Sequence, residues 1–169
     1  MALLGLYRLS KSRTYQIFGE MLTRVETKEK VVALTFDDGP TPDATPEILR
    51  ILKDNSIHAS FFLCGREIEA NPAEAAAIVA GGHEIGNHTY SHQRMIFRSW
   101  SFIAEEIEKT NALIRKAGYT GPIHFRAPFG KRLFLLPYYL EKTGRLHVFY
   151  DVEPESYSDV AGNTQKIVD

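Results

Sequence analysis

Two adjacent carboxylates, Asp37 and Asp38, directly follow a run of apolar and β-branched residues that begins at Val31. A run of this kind, bounded by a Gly-Pro turn, predicts a buried strand whose end carries both carboxylates to the rim of a core. Successive side chains of an extended chain point in opposite directions, so we expect the two carboxylates to have different partners. One could bind a cation while the other transfers protons. A solvated turn is the alternative interpretation.

A pair of histidines, His88 and His92, closes the segment G-G-H-E-I-G-N-H-T-Y-S-H at residues 81–92. On a helical turn this spacing places both imidazoles on one face, as in other two-histidine zinc sites. Zinc accepts neutral imidazole and carboxylate ligands, and a catalytic zinc keeps one coordination position open. We therefore predict a metal site formed by the two histidines and one of the aspartates. A chance pair on a surface helix is the alternative.

A third segment, F-R-A-P-F-G, occupies residues 125–130 after a short apolar stretch. Arg126 could lie at a strand end, where its guanidinium could hold one aspartate by a bidentate contact. A surface arginine before a Pro-Gly loop is the alternative.

The segments T-F-D-D-G-P, H-T-Y-S-H and R-A-P-F-G resemble, in this order, the first three signature motifs of the polysaccharide deacetylases. This family is carbohydrate esterase family 4, with its NodB-homology domain. The resemblance implies metal-dependent removal of acetyl groups from N-acetylated amino sugars, in chitin oligomers, peptidoglycan or a related surface glycan. It also implies an irregular (β/α) barrel with its site at the C-terminal ends of the strands.

The resemblance assigns a role to each matching side chain. Asp38, His88 and His92 match the metal ligands of the family. Zinc is the first choice of ion, with cobalt, nickel or iron as alternatives. Asp37 matches the general base, and Arg126 matches the residue that orients this base.

Further residues are assigned to the reacting sugar. The backbone N–H of Phe129 matches an oxyanion donor, and Pro128 and Tyr157 are the expected substrate contacts. The family's fourth motif usually carries an aspartate followed by a tryptophan, whereas Ser156 and Tyr157 stand at those positions. Ser156 cannot form the ion pair with Arg126 that the family's aspartate would form.

The family's fifth motif, an apolar strand ending in leucine-x-histidine that supplies the acid for the leaving amine, has no counterpart in this sequence. We therefore expect residues 30–169 to form a C-terminally incomplete deacetylase domain and residues 1–29 to form an N-terminal arm or linker. Two alternatives remain: a catalytically impaired relative that binds glycan through its metal site, and a metal amidohydrolase of small amides. The remaining histidines are expected to be structural: His58, His83, His124 and His147.

The composition bounds the class of protein. The chain has 169 residues, 44% of them hydrophobic, and a net charge of -1, which suits one domain with a sizeable core. Near-neutral charge gives no case for nucleic-acid binding. The single cysteine, Cys64, excludes an intramolecular disulfide and is expected to be buried. The sequence shows no signal peptide or spanning segment, although the resemblance implies an extracytoplasmic or cell-surface location.

Alternating strands and helices predict an α/β fold with parallel strands. We expect an amphipathic helix between Tyr15 and Leu22, and the opening of a further helix at Thr164. Other helices are predicted at 41–53, at 66–80 with a break at Pro72, at 102–117 and at 133–142, and strands at 59–63, 82–85, 123–125 and 147–152.

Overall fold

The computed structural model describes residues 2–154, apart from the side chains of residues 2–4 and 11. The helices are α1 (Ala2–Lys11), α2 (Thr45–Asp54), α3 (Gly65–Ala70), α4 (Pro72–Ala80), α5 (Trp100–Lys116) and α6 (Leu135–Lys142). The strands are β1 (Met21–Leu22), β2 (Thr35–Asp37), β3 (Ser60–Leu63), β4 (Glu84–Asn87) and β5 (His147–Val148). The helix predicted between Tyr15 and Leu22 is wrong, because the helix of the arm is α1 and Leu22 belongs to a strand. The helix predicted at Thr164 lies outside the described residues.

The strands pair in parallel, as predicted. Strands β2, β3 and β4 form one ladder and β1 pairs with β5. Phe125 joins the two ladders through single bridges to Asn87 and His147. The strand predicted at 123–125 is thus reduced to one bridging residue. Within the described residues the order is β2-β3-β4-Phe125-β5-β1, and it does not close into a barrel.

The strand expected from Val31 starts later than predicted. Val31 and Val32 are 64% and 93% exposed, and the ladder begins only at Thr35. Upstream of Thr35 no described strand lies beside the chain, so the apolar run borders an open groove of about 730 Å³ on the side facing Val148–Val152. The prediction of a buried strand is therefore wrong for the first half of this run.

The helices pack on the sheet through two buried clusters. One contains Phe61, Leu63, Ile78, Ile85 and other apolar side chains between the sheet and α2, α4 and α5. The second joins α5 and α6 around Phe125. Helix α5 begins where the Ser99 hydroxyl accepts a hydrogen bond from Phe102 N, an N-cap that satisfies a helix-end donor. None of the helices in residues 2–154 is both long and apolar enough to cross a bilayer.

Candidate metal centre

The candidate site lies at the C-terminal ends of β2 and β4. Asp37 is the last residue of β2, and Asp38 follows it with a φ of 71°. Asn87 is the last residue of β4, and His88 follows it. These two strand ends, on either side of β3, deliver a carboxylate and an imidazole to the same edge of the sheet.

The two histidines approach each other through a turn rather than a helix. Thr89 and His92 have φ angles of 67° and 55°. This left-handed conformation is unfavourable for residues other than glycine, and it persists only where the surroundings determine it. The rings of His88 and His92 come to 5.0 Å between centroids. The two rings are close, as the spacing argument expected, but a left-handed turn and not a helical turn brings them together.

Buried polar groups hold this turn. The Asn87 side chain accepts a hydrogen bond from Thr89 N at 2.8 Å, and Thr89 Oγ1 accepts one from His92 N at 3.1 Å. From α5, the buried Glu106 carboxylate accepts from both the N–H and the hydroxyl of Ser91, at 2.8 and 2.7 Å. Sequence reasoning did not identify Asn87, Thr89 or Glu106. Asn87 and Thr89 stand on either side of His88, whereas Glu106 lies on α5 and no local sequence signal links it to the turn.

Asp38, His88 and His92 bring three donor atoms together. Asp38 Oδ1 lies 3.3 Å from His88 Nε2 and 3.0 Å from His92 Nε2. Four ligands placed tetrahedrally at zinc distances are separated by about 3.3 Å, so these separations fit a zinc ion. His88 Nδ1 lies 2.8 Å from the carbonyl oxygen of Arg126, which fixes the ring and leaves Nε2 for a ligand. Among residues 2–154, no other group of three or more His, Cys, Asp or Glu side chains has its donor atoms close enough to share an ion.

The electrostatics favour the ligating protonation states. Hydrogen bonding to His88 lowers the pKa of Asp38, and the charges of His88 and His92 act in the same direction against the effect of burial. Burial lowers the pKa of His92, although the Asp38 carboxylate opposes this. Metals bind carboxylate and neutral imidazole, so both pKa shifts favour metal binding near neutral pH.

Asp37 has a different partner from Asp38. Its Oδ1 accepts a hydrogen bond from Arg126 Nη1 at 2.6 Å, while its Oδ2 lies 3.9 Å from His88 Nε2. The contact with Arg126 is a single hydrogen bond rather than the bidentate contact that was expected. Arg126 Nη1 also donates to Thr35 Oγ1 at 2.8 Å. Asp37 is thus held by one oxygen and presents the other to the metal-ligand cluster.

The Arg126 guanidinium is 2% exposed and needs further partners. Nη2 donates to the carbonyl oxygen of Phe149 at 3.1 Å, and the Phe62 ring lies 3.9 Å from Cζ. Backbone oxygen and an aromatic face therefore neutralise the arginine on the sides that Asp37 does not cover. Ser156 and Tyr157, expected near this arginine and the substrate, lie outside the described residues.

The loop Ala127–Gly130, called here the Phe129 loop, borders the metal-ligand cluster. The ring of Phe129 lies 4.6 Å from that of His92 and is 54% exposed, whereas Pro128 is buried. Phe129 has a φ of 55°, and its N–H donates to no described residue. A Cβ on Gly130 (φ 59°) would meet the Phe149 ring at 2.7 Å, so this position requires glycine.

The other histidines are not part of this cluster. His83 Nδ1 accepts a hydrogen bond from Ala59 N, and its ring lies 6.0 Å from that of His58. His147 is fully buried on β5. Cys64 is buried and free, and burial raises the pKa of its thiol strongly, so it is unsuited to be a nucleophile or ligand.

Comparison with known proteins identifies relatives of this arrangement. The polysaccharide deacetylase family profile matches residues 24–146. The chain is 34% identical to the peptidoglycan-N-acetylmuramic acid deacetylase PdaC of Bacillus subtilis over 86% of this chain and 30% of that protein. It is 30% identical to a chitooligosaccharide deacetylase of Azorhizobium caulinodans over 79% of this chain and 64% of that protein. The chain thus spans less than two thirds of the length of these relatives.

Among solved structures, the Bc1960 peptidoglycan N-acetylglucosamine deacetylase, bound to 4-naphthalen-1-yl-N-oxidanyl-benzamide, superposes with a TM-score of 0.72. The two chains are 32% identical, over 76% of this chain and 60% of the other. The parallel α/β architecture described above is therefore that of the carbohydrate esterases of this type.

Proposed function

The chain belongs to the polysaccharide deacetylase family, and from this premise we propose that it hydrolyses the N-acetyl amide of amino sugars in a glycan. Peptidoglycan and chitin-type oligomers are the substrates named for its relatives, and such a role would place it outside the cytoplasm. The observation that carries the proposal is that the two neighbouring carboxylates have different partners. Asp38 lies with two imidazoles, whereas Asp37 is held apart by a buried arginine.

Asp38, His88 and His92 would hold one divalent ion, with zinc favoured by the carboxylate and imidazole donors. When bound there, the ion would supply Lewis-acid polarisation of the acetyl carbonyl, which lowers the barrier to attack on an amide. The residues of the chain would then orient the reactants and transfer protons.

Asp37 would act as the general base. Its Oδ2, on the side of the metal-ligand cluster, would take a proton from the attacking water as the water oxygen bonds to the acetyl carbon. The C–N bond then breaks, and the proton held by Asp37 passes to the leaving amine, which gives acetate and a free amino sugar. Arg126 would fix the carboxylate during both transfers.

The Phe129 loop would stabilise the developing negative charge. The Phe129 N–H, which has no described acceptor, would donate to the acetyl oxygen in the transition state. The exposed ring of the same residue, beside His92, would provide an apolar surface for a sugar face.

Acetate release from N-acetylglucosamine oligomers and from peptidoglycan tests this function directly. The zinc-loaded chain should release acetate, and the chelator-treated chain should not. Asp37→Asn should lower kcat by at least about 100-fold, because it removes the proton acceptor and leaves the shape unchanged. Asp43→Asn is the matched control, since Asp43 is an exposed aspartate on the same loop and should retain the wild-type rate.

No acetate release from a folded, zinc-loaded chain would contradict the proposal. Glycan binding by such an inactive chain would instead support the non-catalytic binding role. Release of acetate from small amides alone would support the small-amide amidohydrolase.

A further inference from the structure

Arg132 connects the N-terminal arm to the Phe129 loop. Its side chain is 1% exposed. Nη1 donates to the carbonyl oxygen of Gly130 at 3.1 Å, and Nη2 donates to those of Ser12 at 2.5 Å and Tyr15 at 3.1 Å. One guanidinium therefore joins the end of the loop to a stretch more than 100 residues earlier in the sequence.

Backbone carbonyls of the arm help to neutralise this buried cation. Its other described contacts are uncharged: the Met21 sulfur lies 2.9 Å from Nη2, and the Phe149 ring lies 5.0 Å from Cζ. Burial lowers the pKa of Arg132 to about 10, so the side chain remains charged at neutral pH. A buried charge that loses its hydrogen-bond partners is strongly unfavourable. Movement of the arm away from Arg132 would therefore displace the guanidinium and the Gly130 carbonyl with it.

The arm is itself fixed to the sheet. The stretch Ser12–Leu22, called here the arm segment, ends in β1, which pairs with β5. Gln16 Oε1 lies 2.7 Å from Nδ1 of the buried His147, and the Leu22 carbonyl accepts from Phe149 N at 2.7 Å. The arm segment is thus bonded both to the sheet and to Arg132.

The Phe129 loop is a segment that needs such support. Phe129 and Gly130 are consecutive residues with φ angles of 55° and 59°. The left-handed conformation of Phe129 is costly, so the loop keeps it only while its surroundings define it. Arg132 binds the carbonyl oxygen of Gly130, the residue that follows Phe129, so a shift of this carbonyl would change the backbone angles that orient the Phe129 N–H.

We propose that Arg132 is a positioning residue for the Phe129 loop and that the arm segment forms part of the active-site framework. Its effect on rate rests on the deacetylase function proposed above. The family match begins at residue 24, so it assigns no role to the arm segment.

Arg132→Lys tests the positioning role, because lysine keeps the positive charge but cannot bridge the two sets of carbonyls. We expect kcat for acetate release to fall by about tenfold or more, since an oxyanion donor acts mainly in the transition state. The KM and the dissociation constant for zinc should change less than about threefold, because Arg132 contacts neither the proposed ligands nor the general base. Arg145→Lys is the matched control.

Arg145 is another arginine that bridges distant parts of the chain, through Glu108, but it does not contact the Phe129 loop. Its variant should lose stability and keep the wild-type kcat per folded molecule. Equal kcat values for the wild type and Arg132→Lys would overturn the proposal, and so would a parallel loss of zinc affinity. If the wild type itself releases no acetate, the proposed function fails. Whether the arm segment braces the Phe129 loop is then decided by hydrogen exchange, which needs no activity.

Hydrogen exchange on the unaltered, metal-free chain needs no substrate and no variant. If the arm braces the loop, the amides of Gly130 and Lys131 should open with the same free energy and denaturant dependence as those of His147 and Phe149, which bond to the arm segment. Opening of the two loop amides at much lower free energy, independently of the arm, would overturn the proposal.

Discussion

His147 should make the stability of the fold sensitive to acid. The side chain is completely buried on β5, where Nδ1 faces Gln16 and Nε2 has no partner in the described residues. Burial lowers the pKa of His147 to about 3, and the charges of Arg132, Arg126 and His88 act in the same direction. The folded chain therefore holds this imidazole neutral, whereas an unfolded histidine, with a pKa of about 6.5, takes up a proton.

The sign and size of the effect follow from these two pKa values. Because the unfolded chain binds the extra proton, stability is fully present above pH 6.5 and is lost as the pH falls towards 3. Between pH 7 and pH 4.5 the linkage amounts to about 2.5 kcal/mol of unfolding free energy. His147→Asn removes the titrating group, while its amide can still donate to Gln16.

Urea unfolding of the metal-free chain, followed by circular dichroism at several pH values, measures this term. Between pH 7 and pH 4.5, the unfolding free energy of the wild type should fall by about 2.5 kcal/mol more than that of His147→Asn. The exposed His58→Asn variant should run parallel to wild type. Parallel curves for wild type and His147→Asn would refute the reasoning, because they would mean that His147 takes up its proton without unfolding.

Three further outcomes are expected. Glu106→Ala should lower the unfolding free energy by about 2 kcal/mol and weaken zinc binding, because Ser91 in the histidine turn loses its two hydrogen bonds to this carboxylate. Urea unfolding measures the first effect and a chelator-competition titration the second. Cys64 should react with a thiol reagent only on unfolding, as its thiol is buried and its pKa is raised, and labelling in a urea series checks this. The Arg94 guanidinium lies 5.2 Å from the centre of the Phe129 ring, beside the site, and pairs with no described carboxylate. It is therefore placed to attract a carboxylate of the substrate, and Arg94→Gln should raise the KM for glycans that carry carboxylates more than for neutral oligomers. Equal KM changes for the two substrates would contradict that role.

The side chains that meet at the candidate site could be singled out from the sequence, whereas the backbone conformation that brings them together could not. Asp37, Asp38, His88, His92 and Arg126 were singled out because they lie in three short motifs that match those of a known family, two of them at the ends of apolar runs. The left-handed turn that joins the two histidines was missed, because spacing alone cannot distinguish a helical turn from a strained loop. Propensity gives little warning of such conformations.

The larger errors concern contacts between distant segments. The helices near 45–54 and 100–116 were predicted well because their apolar periodicity is local. Whether Val31 is buried depends on which strand lies beside it, and the partners of Arg132 come from the arm, so neither could be read from nearby residues. Long-range pairing of this kind has no signature in a single sequence.

The central claim is that one bound ion and the separate carboxylate of Asp37 act together. A zinc titration of the metal-free chain, with bound zinc and acetate release measured in the same samples, tests it most directly. We expect both signals to saturate together at one zinc per chain, and we expect Asp37→Asn to bind one zinc without releasing acetate. Undiminished zinc binding by Asp38→Ala, or a wild-type rate from Asp37→Asn, would contradict the account.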